Sequence, residues 1–274
     1  MNIGKDNAIR KIRIKKGIYV LPNLITTASL FCGFYSIIAS FQEKFVISAI
    51  TILAALVLDG MDGRIARMTN TSSKFGAEFD SLSDLVAFGV APALLAYNWA
   101  MSFYGKWGWI AAFLFVVCGA LRLARYNIQI GIIESKVFNG LPIPAAASVI
   151  ATTVLFYDYV GVEGKFYNPY LLVFVALLSV LMVSSIKYYS FKDMKLLVRK
   201  PFMSFFLLVI LLILIVAETQ IMAFVVFLGY AISGPIWSAI KIIQKIRLQP
   251  EEKKKTGRED ISAPEEKDNT ESSQ

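Results

Sequence analysis

The chain has 274 residues, of which 56% are hydrophobic, 13% are aromatic and only 18% are charged. Soluble domains carry roughly 25% charged residues, so this composition predicts a protein that lies in a lipid bilayer. The formal net charge is +8, but the charges cluster at the termini and between apolar runs. They do not form the continuous basic surface of a nucleic-acid-binding protein, and we expect no nucleic-acid partner.

Histidine is absent from the chain. Its absence excludes serine hydrolase triads, cysteine–histidine pairs, histidine general bases and every histidine-containing metal site. Cys32 and Cys118 both lie in apolar runs, so we expect packing residues and neither a disulfide nor a thiolate zinc site. The chemistry must therefore come from carboxylates, Arg and Lys side chains, hydroxyls and the backbone.

Residues 1–18 form a basic juxtamembrane segment in which six Lys and Arg residues accompany one acid, Asp6. Two interpretations stay open: a short interfacial helix on anionic lipid, or a basic flank that orients the first span. The uncharged run 21–41 is long enough to span a bilayer and lacks a small-residue cleavage site. A cleaved signal peptide is therefore disfavoured.

Eight apolar segments follow, each with roughly the 20 residues that a bilayer core requires, although the seventh is short. They lie near residues 20–41, 46–67, 84–104, 107–125, 141–160, 167–187, 202–217 and 219–240. The sequence thus predicts an all-α integral membrane protein. We expect a transmembrane catalytic domain over 19–243, built as a bundle of about eight helices.

The connections differ in basic residues, which predicts the orientation. The connections after spans two, four and six contain eleven Lys and Arg residues, whereas those after spans one, three, five and seven contain only Lys44, Lys106 and Lys165. By the positive-inside rule, the first set and both termini are cytoplasmic. Residues 244–274 are rich in Lys, Glu, Asp and Ser, which predicts a disordered charged cytoplasmic tail.

Four aspartates form two pairs with helical spacing. Asp59 and Asp62 are three residues apart near the end of span two, and Asp80 and Asp84 are four apart near the start of span three. Each pair shares one helix face. A helical rise of ~1.5 Å per residue places both pairs about 6–12 Å from the cytoplasmic edge, so two antiparallel helices present four carboxylates at matching levels.

Carboxylates this close together need a neutralising positive charge, because they repel one another and are costly to bury. Oxygen ligands alone suit Mg²⁺, Mn²⁺ or Ca²⁺ and do not suit zinc. Two-metal carboxylate sites catalyse phosphoryl transfer, so we predict such a site at the cytoplasmic side.

Small and basic residues surround the acids. Gly60, Gly63 and Ala66 would let a ligand approach the helix, and Arg64 and Arg67 could donate hydrogen bonds to phosphate. The small residues could instead permit close helix packing, and the arginines could be topological anchors. The acids could also be the relay of a cation-coupled transporter, but four acids in matched pairs fit a relay poorly.

The stretch 59–84 carries a family signature, D-x2-D-G-x2-A-R-x8-G-x3-D-x3-D, and through it the chain resembles the CDP-alcohol phosphatidyltransferases. The eight matching residues are Asp59, Asp62, Gly63, Ala66, Arg67, Gly76, Asp80 and Asp84. The resemblance implies an integral membrane enzyme that moves a phosphatidyl group from a CDP-linked lipid to an alcohol and releases CMP.

The resemblance also implies roles for these residues. Asp59, Asp62 and Asp80 would be metal ligands, and Asp84 would be a ligand or the general base. The cations would be Mg²⁺ or Mn²⁺, with Ca²⁺ as an alternative at one site. Contacts with the CDP moiety would come from Gly63, Ala66, Arg67 and Gly76. A homodimer in the cytoplasmic (inner) membrane of a prokaryote is expected.

Four further sequence segments resemble those of the membrane-embedded phosphatidylserine synthases. They are residues 21–27, 121–127, 139–146 and 184–192. The similarity covers roughly residues 18–192 and implies CDP-diacylglycerol as donor and L-serine as acceptor. Asn23 and Thr26 fall at the cytoplasmic level of the acids, so we assign them to CDP and phosphate binding. Spans seven and eight contribute no recognisable motif.

Arg122, Arg125 and Asn127, at the end of span four, could bind the carboxylate and ammonium groups of serine. The same arginines could serve as topological anchors, or could bind a phosphate-bearing acceptor such as glycerol phosphate or inositol phosphate. An archaeal ether-lipid donor also stays open. Under the serine hypothesis, Asp84 deprotonates the hydroxyl, which attacks the phosphorus directly.

Overall fold

The computed structural model describes residues 3–68, 73–129, 137–162, 164–165, 167–189 and 218–259. Its regular structure is helical apart from two three-residue strands. The elements are α1 (Ile3–Phe41), α2 (Phe45–Met68), α3 (Lys74–Asp84), α4 (Ala91–Ala96), α5 (Lys106–Gln129), β1 (Val137–Asn139), α6 (Ile143–Tyr159), α7 (Pro169–Val183), β2 (Lys187–Tyr189) and α8 (Thr219–Glu259). The residues form two compact units, Met1–Gly234 and Pro235–Gln274, and the candidate site lies in the first.

Among the residues that the structure describes, five helical stretches are long and apolar enough to cross a membrane, and α6 and α7 are shorter apolar helices. The five are Pro22–Phe41, Phe45–Ile65, Lys74–Tyr104, Lys106–Ile128 and Thr219–Lys241. They confirm the expectation of a helical integral membrane protein. The seventh predicted segment, 202–217, lies outside the described residues, so the count of eight spans stays a prediction.

The third span is one helical stretch whose hydrogen-bonding pattern changes along its length. Ser73 caps its start by accepting a 2.9 Å hydrogen bond from the Gly76 amide. Two π-helical segments, Leu85–Val90 and Tyr97–Met101, flank α4. Pro92, in the first turn of α4, has no amide hydrogen and disfavours regular α-helical bonding behind it, which accounts for the first π-helical segment.

The first and last helices continue beyond the boundaries predicted for the first and last spans. The basic segment 1–18 and the first span belong to one continuous helix, α1, with Pro22 inside it. Helix α8 continues to Glu259, through the first part of the segment 244–274 that composition predicts to be disordered. Lys, Glu, Gln and Arg are strong helix formers, so a charged sequence without apolar periodicity can still extend an existing helix.

Small residues let α1 pack closely against its neighbours, as is typical of membrane helices. The hydroxyls of Ser36 and Ser48 lie 2.8 Å apart between α1 and α2. A Cβ at Gly33 would lie 2.6 Å from Cα of Ala87, so only glycine permits this approach of α1 to the third span. Cys32 and Cys118 are free thiols, as expected from the sequence.

Helix α6 lies at the centre of the bundle, since nearly every residue from Ile143 to Leu155 is buried. The antiparallel strands β1 and β2 hold its N-terminal end, with Phe138 opposite Tyr188. Gly140, at φ +81°, makes the turn from β1 toward α6, and its amide donates to the Ile186 carbonyl. The predicted sixth span therefore ends earlier than expected, at Val183, and a strand replaces its last turn.

Candidate active site

Three carboxylates meet between α2 and α3. Asp59 and Asp62 are three residues apart on α2, and Asp80 lies on α3. One oxygen from each of the three lies within 4.8 Å of the others. Asp62 is buried and the other two are half-buried. As the helical spacing in the sequence predicted, acids from both helices thus lie together.

Asp84 lies one helical turn beyond Asp80, on the same helix. Its carboxyl group is close enough to that of Asp59 for the two groups to interact electrostatically. It does not belong to the group of three whose oxygens approach one another within 4.8 Å. The four acids therefore divide into a cluster of three and one neighbour.

Thr26 of α1 orients one member of the cluster. Its hydroxyl lies 2.8 Å from Oδ2 of Asp62 and 3.1 Å from the carbonyl oxygen of Pro22, and Thr26 itself is buried. The Ser83 hydroxyl in turn donates to the Thr26 carbonyl at 3.2 Å, which ties α3 to α1. Thr26 thus contacts the predicted metal ligand itself, a relationship that the sequence analysis did not foresee.

The cluster has the chemistry of a divalent cation site. Oδ1 of Asp80 is buried and has no hydrogen-bond partner among the described residues. Buried carboxylate oxygens are normally satisfied, so this atom calls for a partner that the described residues do not supply. Three carboxylates also repel one another unless a positive charge lies between them, and hard cations prefer oxygen ligands of this kind. The residues present could therefore hold a metal ion.

An open surface lies beside the acids. A Cβ added to Gly60 or Gly63 would meet nothing within 4 Å. At Gly76 an added Cβ would lie 3.4 Å from Oδ1 of Asn23, so these two predicted binding residues are neighbours. Arg64 is exposed. For Ala66 and Arg67 only the backbone is described, and their predicted contacts lie outside the described side chains.

The three candidate acceptor residues on α5 differ in their partners. Arg125 donates from Nη1 to the Val183 carbonyl at 3.0 Å, which ties α5 to α7. Asn127 donates from Nδ2 to the Ser81 hydroxyl at 2.9 Å, which ties α5 to α3. Arg122 is buried, with only 8% of its surface exposed, and its Nε has no hydrogen-bond partner among the described residues.

Arg122 also lies within electrostatic range of Asp84 and of Tyr230 on α8. The structure thus brings one of the three candidates toward the acids and leaves it with a free donor. Sequence reasoning missed Ser81, Ser83 and Tyr230 as neighbours of the site. The two serines lie between Asp80 and Asp84 in the signature window, which is the only signal that could have found them.

The sequence profile of the CDP-alcohol phosphatidyltransferases matches residues 19–184, more than half of the chain. The chain belongs to this family. It is therefore a membrane transferase. The residues of the carboxylate cluster, with Thr26 and Arg122, all lie within the family match.

Curated relatives narrow the comparison to one branch of the CDP-alcohol phosphatidyltransferases. The chain is 42% identical over 231 residues to the CDP-diacylglycerol–serine O-phosphatidyltransferase of Helicobacter pylori, covering 82% of this chain and 95% of the relative. It is 37% identical to the Bacillus subtilis enzyme of the same name, over 63% of this chain and 91% of the relative. An archaetidylserine synthase of Methanothermobacter thermautotrophicus is 38% identical, over 61% and 69% of the two chains.

Proposed function

We propose that this transferase moves the phosphatidyl group from CDP-diacylglycerol to the hydroxyl of L-serine, which gives phosphatidylserine and CMP. The observation that carries the proposal is the cluster of Asp59, Asp62 and Asp80, with Asp84 set beside it. The similarity to the Helicobacter pylori enzyme over nearly its whole length supports serine as the acceptor.

Asp59, Asp62 and Asp80 are the residues that would hold the divalent cations. We propose Mg²⁺ or Mn²⁺ in a two-metal site, with Ca²⁺ as an alternative at one position, because the donor set contains only oxygen. When bound, such ions supply positive charge that stabilises the developing charge on the pyrophosphate. The hydrogen bond from Thr26 holds Asp62 in a fixed rotamer, so we assign to Thr26 the orientation of a ligand.

Asp84 is the proposed general base. Its carboxylate takes the proton of the serine hydroxyl as that oxygen bonds to the phosphorus that carries the diacylglycerol. The bond from this phosphorus to the bridging pyrophosphate oxygen breaks, and its electron pair leaves with CMP. No covalent enzyme intermediate is needed. The place of Asp84 beside Asp59, outside the cluster of three, suits a proton acceptor next to the reacting phosphate.

The proposed donor site lies along the open surface of α2. Gly63 leaves room for the nucleotide, and Asn23 and Gly76 stand together at the start of the third span. Ala66 and Arg67 complete the proposed CDP contacts through their place in the signature. A donor with its nucleotide in water and its acyl chains in lipid suits a site near a membrane surface.

The proposed acceptor site centres on Arg122. A buried guanidinium with a free donor favours a carboxylate partner, such as that of serine. Arg125 and Asn127 border this site and fix the helices around it.

We further propose eight spans, cytoplasmic termini, a homodimeric assembly and residence in the inner membrane of a prokaryote. The basic residues in the connections after spans two, four and six support the orientation.

The test uses the purified full chain with CDP-diacylglycerol and Mn²⁺. L-Serine, glycerol phosphate and inositol phosphate are compared as labelled acceptors, and a CDP-linked ether lipid replaces the donor in a parallel series. We expect label from serine in lipid, with CMP released, and the ester donor preferred. Preference for a phosphate-bearing acceptor would refute the serine assignment. Cation flux into liposomes without CMP release would favour a transporter.

A further inference from the structure

Arg122 has a second helix within electrostatic range, besides the one that carries the acids. Its buried guanidinium has Asp84 of α3 and Tyr230 of α8 within electrostatic range. The family profile ends at residue 184, so α8 is contributed by a part of the chain outside that match. A helix without a family motif therefore lies within electrostatic range of the residue that we assign to the acceptor.

Tyr188 fixes the turn of α8 that carries Tyr230. Tyr188 is fully buried, and its hydroxyl donates a 2.9 Å hydrogen bond to the Ala231 carbonyl of α8. The ring centroids of Tyr188 and Tyr230 are 5.7 Å apart. Burial and, second, the neighbouring Tyr230 raise the pKa of Tyr188 to about 12, so this phenol remains a protonated donor at neutral pH.

Gly234 provides the space for this contact. A Cβ at Gly234 would lie 2.4 Å from Cζ and 2.5 Å from Cε1 of Tyr188, closer than van der Waals contact allows. The Tyr188 ring therefore sits in a notch over one turn of α8, between Tyr230 and Gly234. The strand β2 holds Tyr188 in place from the other side, through its pairing with β1.

We propose that the α8 turn from Tyr230 to Gly234, locked by Tyr188, forms one wall of the acceptor site and holds Arg122 in the orientation that binds the acceptor carboxylate. Tyr188 and Tyr230 are positioning residues in this arrangement, and neither takes part in the bond changes. The inference rests on the proposed function, because it assigns to α8 a role in selecting an acceptor that carries a carboxylate.

The closest test compares two glycine substitutions on α8. Gly234→Ala drives a methyl group into the Tyr188 ring, whereas Gly229→Ala, on the same helix, meets nothing within 4 Å. Both changes raise helix propensity alike. We expect Gly234→Ala to raise KM for L-serine about tenfold, with KM for CDP-diacylglycerol within about twofold of wild type, and Gly229→Ala to change neither.

A second variant keeps the test decisive if Gly234→Ala fails to fold. Tyr230→Phe keeps the ring and removes only the hydroxyl, which is the group within electrostatic range of Arg122. We expect a several-fold rise in KM for L-serine and a smaller preference for serine over ethanolamine, which lacks the carboxylate. A purely structural role would instead lower the apparent Tm and change kcat for both acceptors equally.

The outcomes separate this inference from the function on which it rests. Wild-type protein that forms no phosphatidylserine would refute the proposed function. A different result would refute only the role of α8. In that case the wild-type protein forms phosphatidylserine, but Tyr230→Phe has the same KM for serine as the Gly229→Ala control. It also has the same preference for serine over ethanolamine.

Discussion

The hydroxyl of Thr26 lies 2.8 Å from Oδ2 of Asp62 and joins the first membrane helix to the carboxylate cluster of the second. Both residues are buried, so the bond is shielded from water. A side chain that orients a metal ligand often affects metal affinity nearly as much as the ligand does. Under the proposed function, the contact makes Thr26 of α1 a positioning residue for the metal ligand Asp62.

Thr26→Val removes this hydroxyl and keeps the shape of the side chain. We expect the Mn²⁺ concentration for half-maximal activity to rise about 10-fold to 100-fold, because Asp62 loses its orienting partner. The matched control is Thr27→Val, since Thr27 is exposed and its hydroxyl donates to the Asn23 carbonyl of its own helix. Equal metal titration curves for the two variants would contradict the role of Thr26.

Metal binding can be measured without turnover. At a Mn²⁺ concentration of 100 times the dissociation constant, binding to the folded state alone stabilises it by about 2.7 kcal/mol. We therefore expect Mn²⁺ to raise the apparent Tm of the purified chain and EDTA to reverse the rise. Asp80→Asn should abolish this shift, whereas Glu78→Gln, an exposed residue on the same helix, should retain it. A full shift in Asp80→Asn would exclude Asp80 as a ligand.

Asp84→Asn separates the proposed base from the proposed ligands. We expect CMP release to fall by about 10²-fold to 10⁴-fold, because the serine hydroxyl loses its proton acceptor. The Mn²⁺-dependent rise in Tm should remain, since Asp84 lies outside the cluster of three. Glu78→Gln again serves as the control. Near-normal turnover in Asp84→Asn would remove the base assignment, and loss of the Tm shift would make Asp84 a ligand.

Gly63→Leu tests the donor surface on α2. A Cβ at this position meets open space, so the fold should tolerate the larger side chain and the apparent Tm should stay near that of wild type. We expect KM for CDP-diacylglycerol to rise at least about tenfold, because leucine occupies the volume that the nucleotide needs. Gly229→Leu on α8 is the control. Unchanged donor kinetics in Gly63→Leu would place the nucleotide elsewhere.

Spacing in the sequence predicted four carboxylates at one level, and three of them form a cluster in the structure. Helical periodicity places Asp59 and Asp62 on one face of their helix, and Asp80 and Asp84 on one face of theirs. The fixed rise per residue of a helix then places the two pairs at similar depths in the membrane. Residues at matching depths on adjacent antiparallel helices can approach one another, and in the structure Asp59, Asp62 and Asp80 do so. The signature then identified the family, and the profile match confirmed it.

Contacts between distant helices could not be read from the sequence in the same way. Residue spacing determines which side chains share a face of a helix, but not which other helix packs against that face. Arg122 and Arg125 are three residues apart and look equivalent, yet one is buried with a free donor and the other binds the Val183 carbonyl. The contact of Tyr188 with Gly234 joins residues without a shared motif, so only the fold reveals it.

Apolar periodicity also could not predict where helices give way to other structure. An apolar run predicts helix up to residue 187, but α7 ends at Val183 and β2 follows. The strand pair depends on the positive φ of Gly140 and on its hydrogen bond to Ile186, a partner distant in sequence.

The central claim is direct transfer of a phosphatidyl group to serine at the carboxylate cluster. The most direct measurement incubates the purified chain with CDP-diacylglycerol, labelled serine and Mn²⁺ and quantifies both products. The account predicts CMP and labelled phosphatidylserine in equal amounts, with no exchange of labelled CMP into CDP-diacylglycerol when serine is omitted. Absence of labelled lipid, or exchange without serine, would contradict it.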